Sequence, residues 1–134
     1  MNLSYQEKSI GGSVAALVVV YGTYFVDAVL GRGGGVGRLV KTVVLLVAIE
    51  VVYHIVIAIL DRPEAQDERD RMIGAVAHRN GYVALAGGVA LLMCYAVLSP
   101  ALTPFVLAQA MLAALVAAEV VKGVTQLYLY RAGV

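Results

Sequence analysis

Glu50 and Glu119 each interrupt a long apolar run, and each sits in nearly the same heptapeptide: Leu46-Val-Ala-Ile-Glu50-Val-Val52 and Leu115-Val-Ala-Ala-Glu119-Val-Val121. An acidic side chain at bilayer depth costs on the order of 2.5–3.5 kcal/mol on insertion scales unless it is neutralised or paired. Two matched ones therefore mark either a site or a structural lock. Positions three and four apart are neighbours on a helix, which places Tyr53 and His54 beside Glu50, and Lys122 beside Glu119 with Gln126 one turn further on. Polar faces inside a bilayer turn toward protein. Packing the second apolar segment against the fourth would then gather Glu50, His54, Glu119 and Lys122 into one buried polar site for an ion or proton.

Three uses compete for such a site. Two desolvated carboxyl groups that approach each other share a proton or a cation, the logic of a coupling site in a small transporter. Glu and His also ligate first-row metals, but catalytic zinc sites usually bring two histidines at helical spacing; here His54 lies in a span and His78 in a polar segment. No metal site and no haem or other cofactor is expected. The third use is structural: Glu119 paired with Lys122 and Glu50 with His54, each fixing helix register for about 0.6–2 kcal/mol. No Ser or Cys stands in sequence beside a positioned base, so no catalytic residue is assigned and an enzyme is not expected.

The elements that hold these residues are legible from composition. Of 134 residues, 61% are apolar and 14% charged, more hydrophobic surface than a soluble domain of this size buries. Four segments can cross ~30 Å of hydrocarbon as helices: about 10–30, 39–60, 81–98 and 105–130. The expected fold is all-α, a polytopic membrane four-helix bundle forming a single domain over 1–134. The first segment exceeds the ~7–15-residue apolar core of a signal peptide and is read as a retained helix. Lys8, Arg62, Arg69, Arg71, Arg79 and Arg131 fall on one side, against Arg32, Arg38 and Lys41 on the other. Basic residues near span ends resist translocation, so both termini are expected in the cytoplasm. With ten basic and nine acidic residues there is no basic stripe for nucleic acid, and direct nucleic-acid binding is not expected. Cys94 is a lone cysteine in an apolar run.

The offset between the two glutamates, 69 positions, also brings Gly12, Val14, Ala15 and Val20 onto Gly81, Val83, Ala84 and Val89. The chain reads as two similar transmembrane hairpins, an internal repeat whose pseudo-two-fold axis runs along the membrane normal. Between them, 64–80 reads as a short cytoplasmic helix, with Met72, Ile73 and Val76 on one stripe and Asp67 and Arg71 four apart on the polar side. It lies at the membrane interface with its charges solvated, or it makes Asp67, Glu68, Arg69, Asp70 and Arg71 a docking surface for a cytosolic protein. The glycine-rich linker 31–38 joins two spans and reads as a flexible turn. Thr103 before Pro104 caps the last helix. Asp27 has Arg32 or Arg38 within reach. Alanines 110, 114 and 118, and Ala84 with Gly88, form small-residue stripes for close helix approach. Tyrosines 82, 128 and 130 at one end, and Tyr24, Tyr95 and Phe105 at the other, form aromatic belts.

The strings Asp67-Glu-Arg-Asp-Arg-Met-Ile73, Ala118-Glu119-Val-Val-Lys122 and Tyr128-Leu-Tyr130-Arg131 resemble a group of bacterial inner-membrane proteins of this length and of unknown function. The likeness covers about half the chain, from Asp67 onward. It implies a multi-pass protein of the bacterial inner membrane, with a small cytosolic helix-turn-helix regulator as a partner. Size and layout are also similar to the small multidrug resistance transporters, in architecture alone, since the first segment holds no mid-span glutamate and the chain no tryptophan. Small-residue stripes on a thin four-span layer lead us to expect a homodimer in the lipid bilayer. Two functions follow: a regulatory or scaffolding membrane protein docking through Asp67 to Arg71, or a proton- or cation-coupled transporter, or metal-binding membrane protein, using Glu50 and Glu119.

Overall fold

A computed structural model describes residues 4–31, 35–61, 67–99 and 103–133. The fold is all-α, with α1 (Tyr5–Val29), α2 (Val36–Leu60), α3 (Glu68–Leu98) and α4 (Pro104–Ala132). All four are long and apolar enough to cross a membrane, and the chain is a multi-pass membrane protein. Residues 62–66, which include part of the expected cytoplasmic segment, and 32–34 and 100–102 in the other linkers lie outside the described residues.

Local chemistry sets the helix starts. The Ser4 hydroxyl accepts from the Glu7 N–H (3.2 Å) while the Glu7 carboxylate accepts from the Ser4 N–H (3.0 Å), a reciprocal cap that starts α1 five residues before the apolar run. Asp67 and Asp70 repeat the device at α3 (2.7 and 3.3 Å). Thr103 accepts from the Val106 N–H with Pro104 in the first turn of α4, and α4 stops at Gly133, whose φ of 74° is left-handed.

α1 pairs with α2 and α3 with α4. Two compact units result, 1–66 and 67–134, where the sequence reading expects one domain; each hairpin buries its own seam. In the first, Lys8 meets Asp61 (2.7 Å) at one end and Arg38 meets Asp27 at the other, which fixes an antiparallel register. Arg38 holds Asp27 as expected, and Arg32, the other expected partner, lies outside the described residues. Val20, Tyr21, Tyr24 and Ile57 are buried here, and Ile73, Ala77 and Ala118 in the second hairpin. Most other large apolar side chains are exposed, the exterior that lipid requires.

One sequence expectation is corrected. The helix expected over 64–80 and the span expected over 81–98 are not separate: α3 runs unbroken from Glu68 to Leu98, and residues 64–66 lie outside the described ones. No proline lies between Asp67 and Ser99, and Gly81, where a break would fall, is pressed against α4. A Cβ there would lie 3.1 Å from Lys122 Cβ and 3.2 Å from the Ala118 carbonyl oxygen. The glycine serves close helix approach instead of a turn. At ~1.5 Å per residue α3 and α4 are about 46 and 43 Å long, more than ~30 Å of hydrocarbon. The charges from Asp67 to Arg71 and at Arg131 put the overhang at the end where α3 starts and α4 finishes.

Candidate functional site

The register of α1 on α2 brings Ser13 opposite Glu50 and His54. The Ser13 hydroxyl donates to Glu50 Oε2 at 2.8 Å and lies 3.2 Å from His54 Nε2. His54 Nε2 is itself 3.4 Å from Glu50 Oε2. A hydroxyl has one hydrogen; with it given to the carboxylate, Ser13 meets the imidazole as acceptor. With the imidazole as donor through Nε2, the three groups form a hydrogen-bonded chain from His54 Nε2 through Ser13 Oγ to Glu50 Oε2. Glu50 is ten residues from the end of α2 and His54 six, about 15 and 9 Å into the span.

A Ser, a His and a Glu in contact invite comparison with a nucleophile relay, but the polarity differs. In a relay serine donates to one imidazole nitrogen while the carboxylate accepts from the other. Here serine and carboxylate face the same nitrogen, Nε2, and the serine proton goes to the carboxylate. The arrangement therefore has a different hydrogen-bond polarity from a nucleophile relay.

His54 is half-exposed and Glu50 partly buried, and neighbouring groups flank them on one side. The Tyr53 hydroxyl donates to the Lys8 carbonyl oxygen at 2.6 Å, and its ring lies where a Gly12 side chain would be. Lys8 is engaged by Asp61. Buried Ile57 stands one turn beyond His54, between the cluster and that ion pair.

In the second hairpin Glu119 pairs with Lys122 on its own helix. This pair lines a hollow of about 190 Å³ with His78, Tyr82 and others. His78 Nδ1 bonds the Gly74 carbonyl (2.8 Å). Of the four polar residues, Glu50 and His54 pair within the first hairpin and Glu119 and Lys122 within the second. Among the described residues no three His, Cys, Asp or Glu side chains gather as a metal-ligand set.

The offset of 69 reappears as geometry. Gly12 abuts Tyr53 in the first hairpin and Gly81 abuts Lys122 in the second, so 12 maps to 81 and 53 to 122. Glu50 maps to Glu119, but Ser13 and His54 map to Tyr82 and Gly123. Gly12 faces the tip of the Tyr53 ring, Gly81 the Lys122 Cβ and the Ala118 carbonyl oxygen, so the matched positions meet but the contacts, like the partners of the glutamate, differ.

Asp67 to Arg71 form the cap and first turn of α3. Asp67 and Asp70 are spent on the cap, Asp70 also accepts from the Tyr130 hydroxyl at 2.8 Å, and Arg69 donates to the Tyr130 carbonyl (3.3 Å) with its guanidinium 6.0 Å from the Tyr130 ring. Two of the strings behind the family resemblance therefore hold each other. Glu68 and Arg71 are exposed, without a side-chain partner among the described residues. In comparison with known proteins, no family model, no curated protein and no solved structure matches the chain.

Proposed function

We propose that this multi-pass protein handles protons, or a small cation in their place, at Ser13, Glu50 and His54, as a small proton- or cation-coupled transporter. The observation that carries the reading is the Ser13 bridge between His54 and Glu50. A carboxyl and an imidazole bridged by a hydroxyl are groups suited to carrying a proton, and ionisable side chains within a span are costly to keep and mark a functional site by default. Glu119, next to a lysine, has a counter-ion in place and plays the structural part. The shared Gly contacts support descent of the two hairpins from one, with the first specialised. Residues 67–71 and the basic ends support cytoplasmic termini in a bacterial inner membrane, and a homodimer accords with the small-residue stripes.

Infrared titration of the full chain in lipid vesicles tests the site. A carboxyl band that comes and goes with pH is expected, lost in Glu50→Gln and kept in Glu119→Gln. If no band titrates, or Glu119→Gln removes it, the reading is wrong.

One observation favours a second reading, a regulatory or scaffolding role: Glu68 and Arg71 present opposite charges on the exposed first turn of α3. The partner would be a cytosolic protein such as a small helix-turn-helix regulator. Exchanging the charges, Glu68→Arg with Arg71→Glu, is expected to abolish co-purification of that partner and to leave the Glu50 band in place. Retention of the partner by the exchanged protein rejects this surface.

A further inference from the structure

The ligands around Ser13, Glu50 and His54 narrow which ion the cluster takes, a step that rests on the proton reading above. A hard cation must exchange its water for other oxygens. Calcium takes about six to eight of them and magnesium an octahedron. Potassium filters and the sodium sites of transporters draw theirs from freed main-chain carbonyls and the ends of broken helices. In the first hairpin that supply is closed. α1 and α2 run unbroken over Tyr5–Val29 and Val36–Leu60, and no residue inside either has a positive φ, so the carbonyls beside the cluster stay in the helical ladder.

The side chains of the hairpin add little. The Tyr53 hydroxyl donates to the Lys8 carbonyl, and the Thr23 and Thr42 hydroxyls turn back on the Val20 and Arg38 carbonyls (2.9 and 3.0 Å). Toward the free ends of α1 and α2, the Glu7 carboxylate is held by the Ser4 N–H and Asp61 by Lys8, with Tyr5 in the first turn of α1. What remains at the cluster is one hydroxyl and one carboxylate, with the hydroxyl hydrogen already directed at Glu50. The third group is an imidazole, a ligand for transition metals and not for hard cations. Its N–H toward the Ser13 oxygen (3.2 Å) keeps a cation from that oxygen as well. We propose that the cluster selects the proton over alkali and alkaline-earth cations, with His54 as the discriminating group.

The test is infrared titration of the full chain in phosphatidylcholine vesicles, in choline, sodium, potassium and calcium chloride at equal ionic strength of about 0.15 M. The carboxyl band assigned by its loss in Glu50→Gln is expected at one midpoint pH in all four salts. A cation competing for that carboxylate at ten times its Kd would pull the midpoint down by about one pH unit. Such a fall in sodium, potassium or calcium overturns the proposal and leaves the proton site standing. His54→Asp exchanges the N–H for two oxygens and is expected to bring that fall in calcium chloride. A midpoint still indifferent to calcium in this variant also overturns the proposal, because His54 would then not discriminate. A Glu50 band that titrates in no salt ends both the proposal and the reading it rests on.

Discussion

Glu50→Gln is expected to lower proton flux through the reconstituted protein on the order of 100-fold, the scale lost when a positioned proton-transfer group is removed. Flux would be read from a pH dye trapped in vesicles under an imposed gradient. Glutamine keeps the shape and still accepts from Ser13, so the hairpin register survives while the proton-carrying oxygen is gone. Ser13→Ala cuts the chain at its middle atom and, with His54 and Glu50 still 3.4 Å apart, should cost about tenfold, less than Glu50→Gln. Glu119→Gln should leave flux within about twofold, because its carboxylate is committed to Lys122. Equal loss in Glu50→Gln and Glu119→Gln would mean that both are structural locks. Unchanged flux in Glu50→Gln would remove the first hairpin from transport altogether.

That asymmetry rests on a single substitution pattern laid over a common frame. In both hairpins a glycine on the first helix faces the residue three positions after the glutamate, by its ring tip in the first and by its Cβ in the second. The first hairpin fills that space with Tyr53 and the second with Lys122. Tyr53 carries no charge to offer Glu50, whose partners come from Ser13 across the seam and His54 one turn on. Lys122 answers Glu119 directly. The two glutamates thus stand at matched positions with different partners, a hydroxyl and an imidazole for Glu50 and an ammonium for Glu119.

The spans, the two hairpins and the polar residues on α2 and α4 were legible because rare charged side chains stand out in apolar runs, and spacing on one helix determines which of them are neighbours. Ser13 was not legible. In Gly-Gly-Ser-Val-Ala it reads as one more small packing residue, and its partner lies 37 positions away, so only the register of α1 on α2 reveals it. Tyr130 read as a belt aromatic for the same reason, since its bond to Asp70 spans 60 positions. The continuity of α3 was missed because Asn80-Gly81 looks like punctuation in sequence. Contact with α4 decides that Gly81 is an approach point.

Gly12→Ala is expected to destabilise the first hairpin by about 1–3 kcal/mol, the usual cost of forcing atoms into a filled space. The new methyl would overlap the Tyr53 ring, and the ring is not free to swing away without surrendering its bond to the Lys8 carbonyl. Tyr53 neighbours His54, their rings 5.7 Å apart, so displacing it should also loosen the proton chain and lower flux. Gly22→Ala is the control: it is on the same helix with nothing within 4 Å of the added carbon, and it should be neutral or stabilise by up to about 1 kcal/mol. Denaturant unfolding in mild detergent reads both variants. Tyr53→Leu should restore stability to Gly12→Ala by vacating the space, with a coupling of at least about 1 kcal/mol in the double-mutant cycle. Additive effects would mean that Gly12 and Tyr53 do not meet, and the register that brings Ser13 to Glu50 would fall with them.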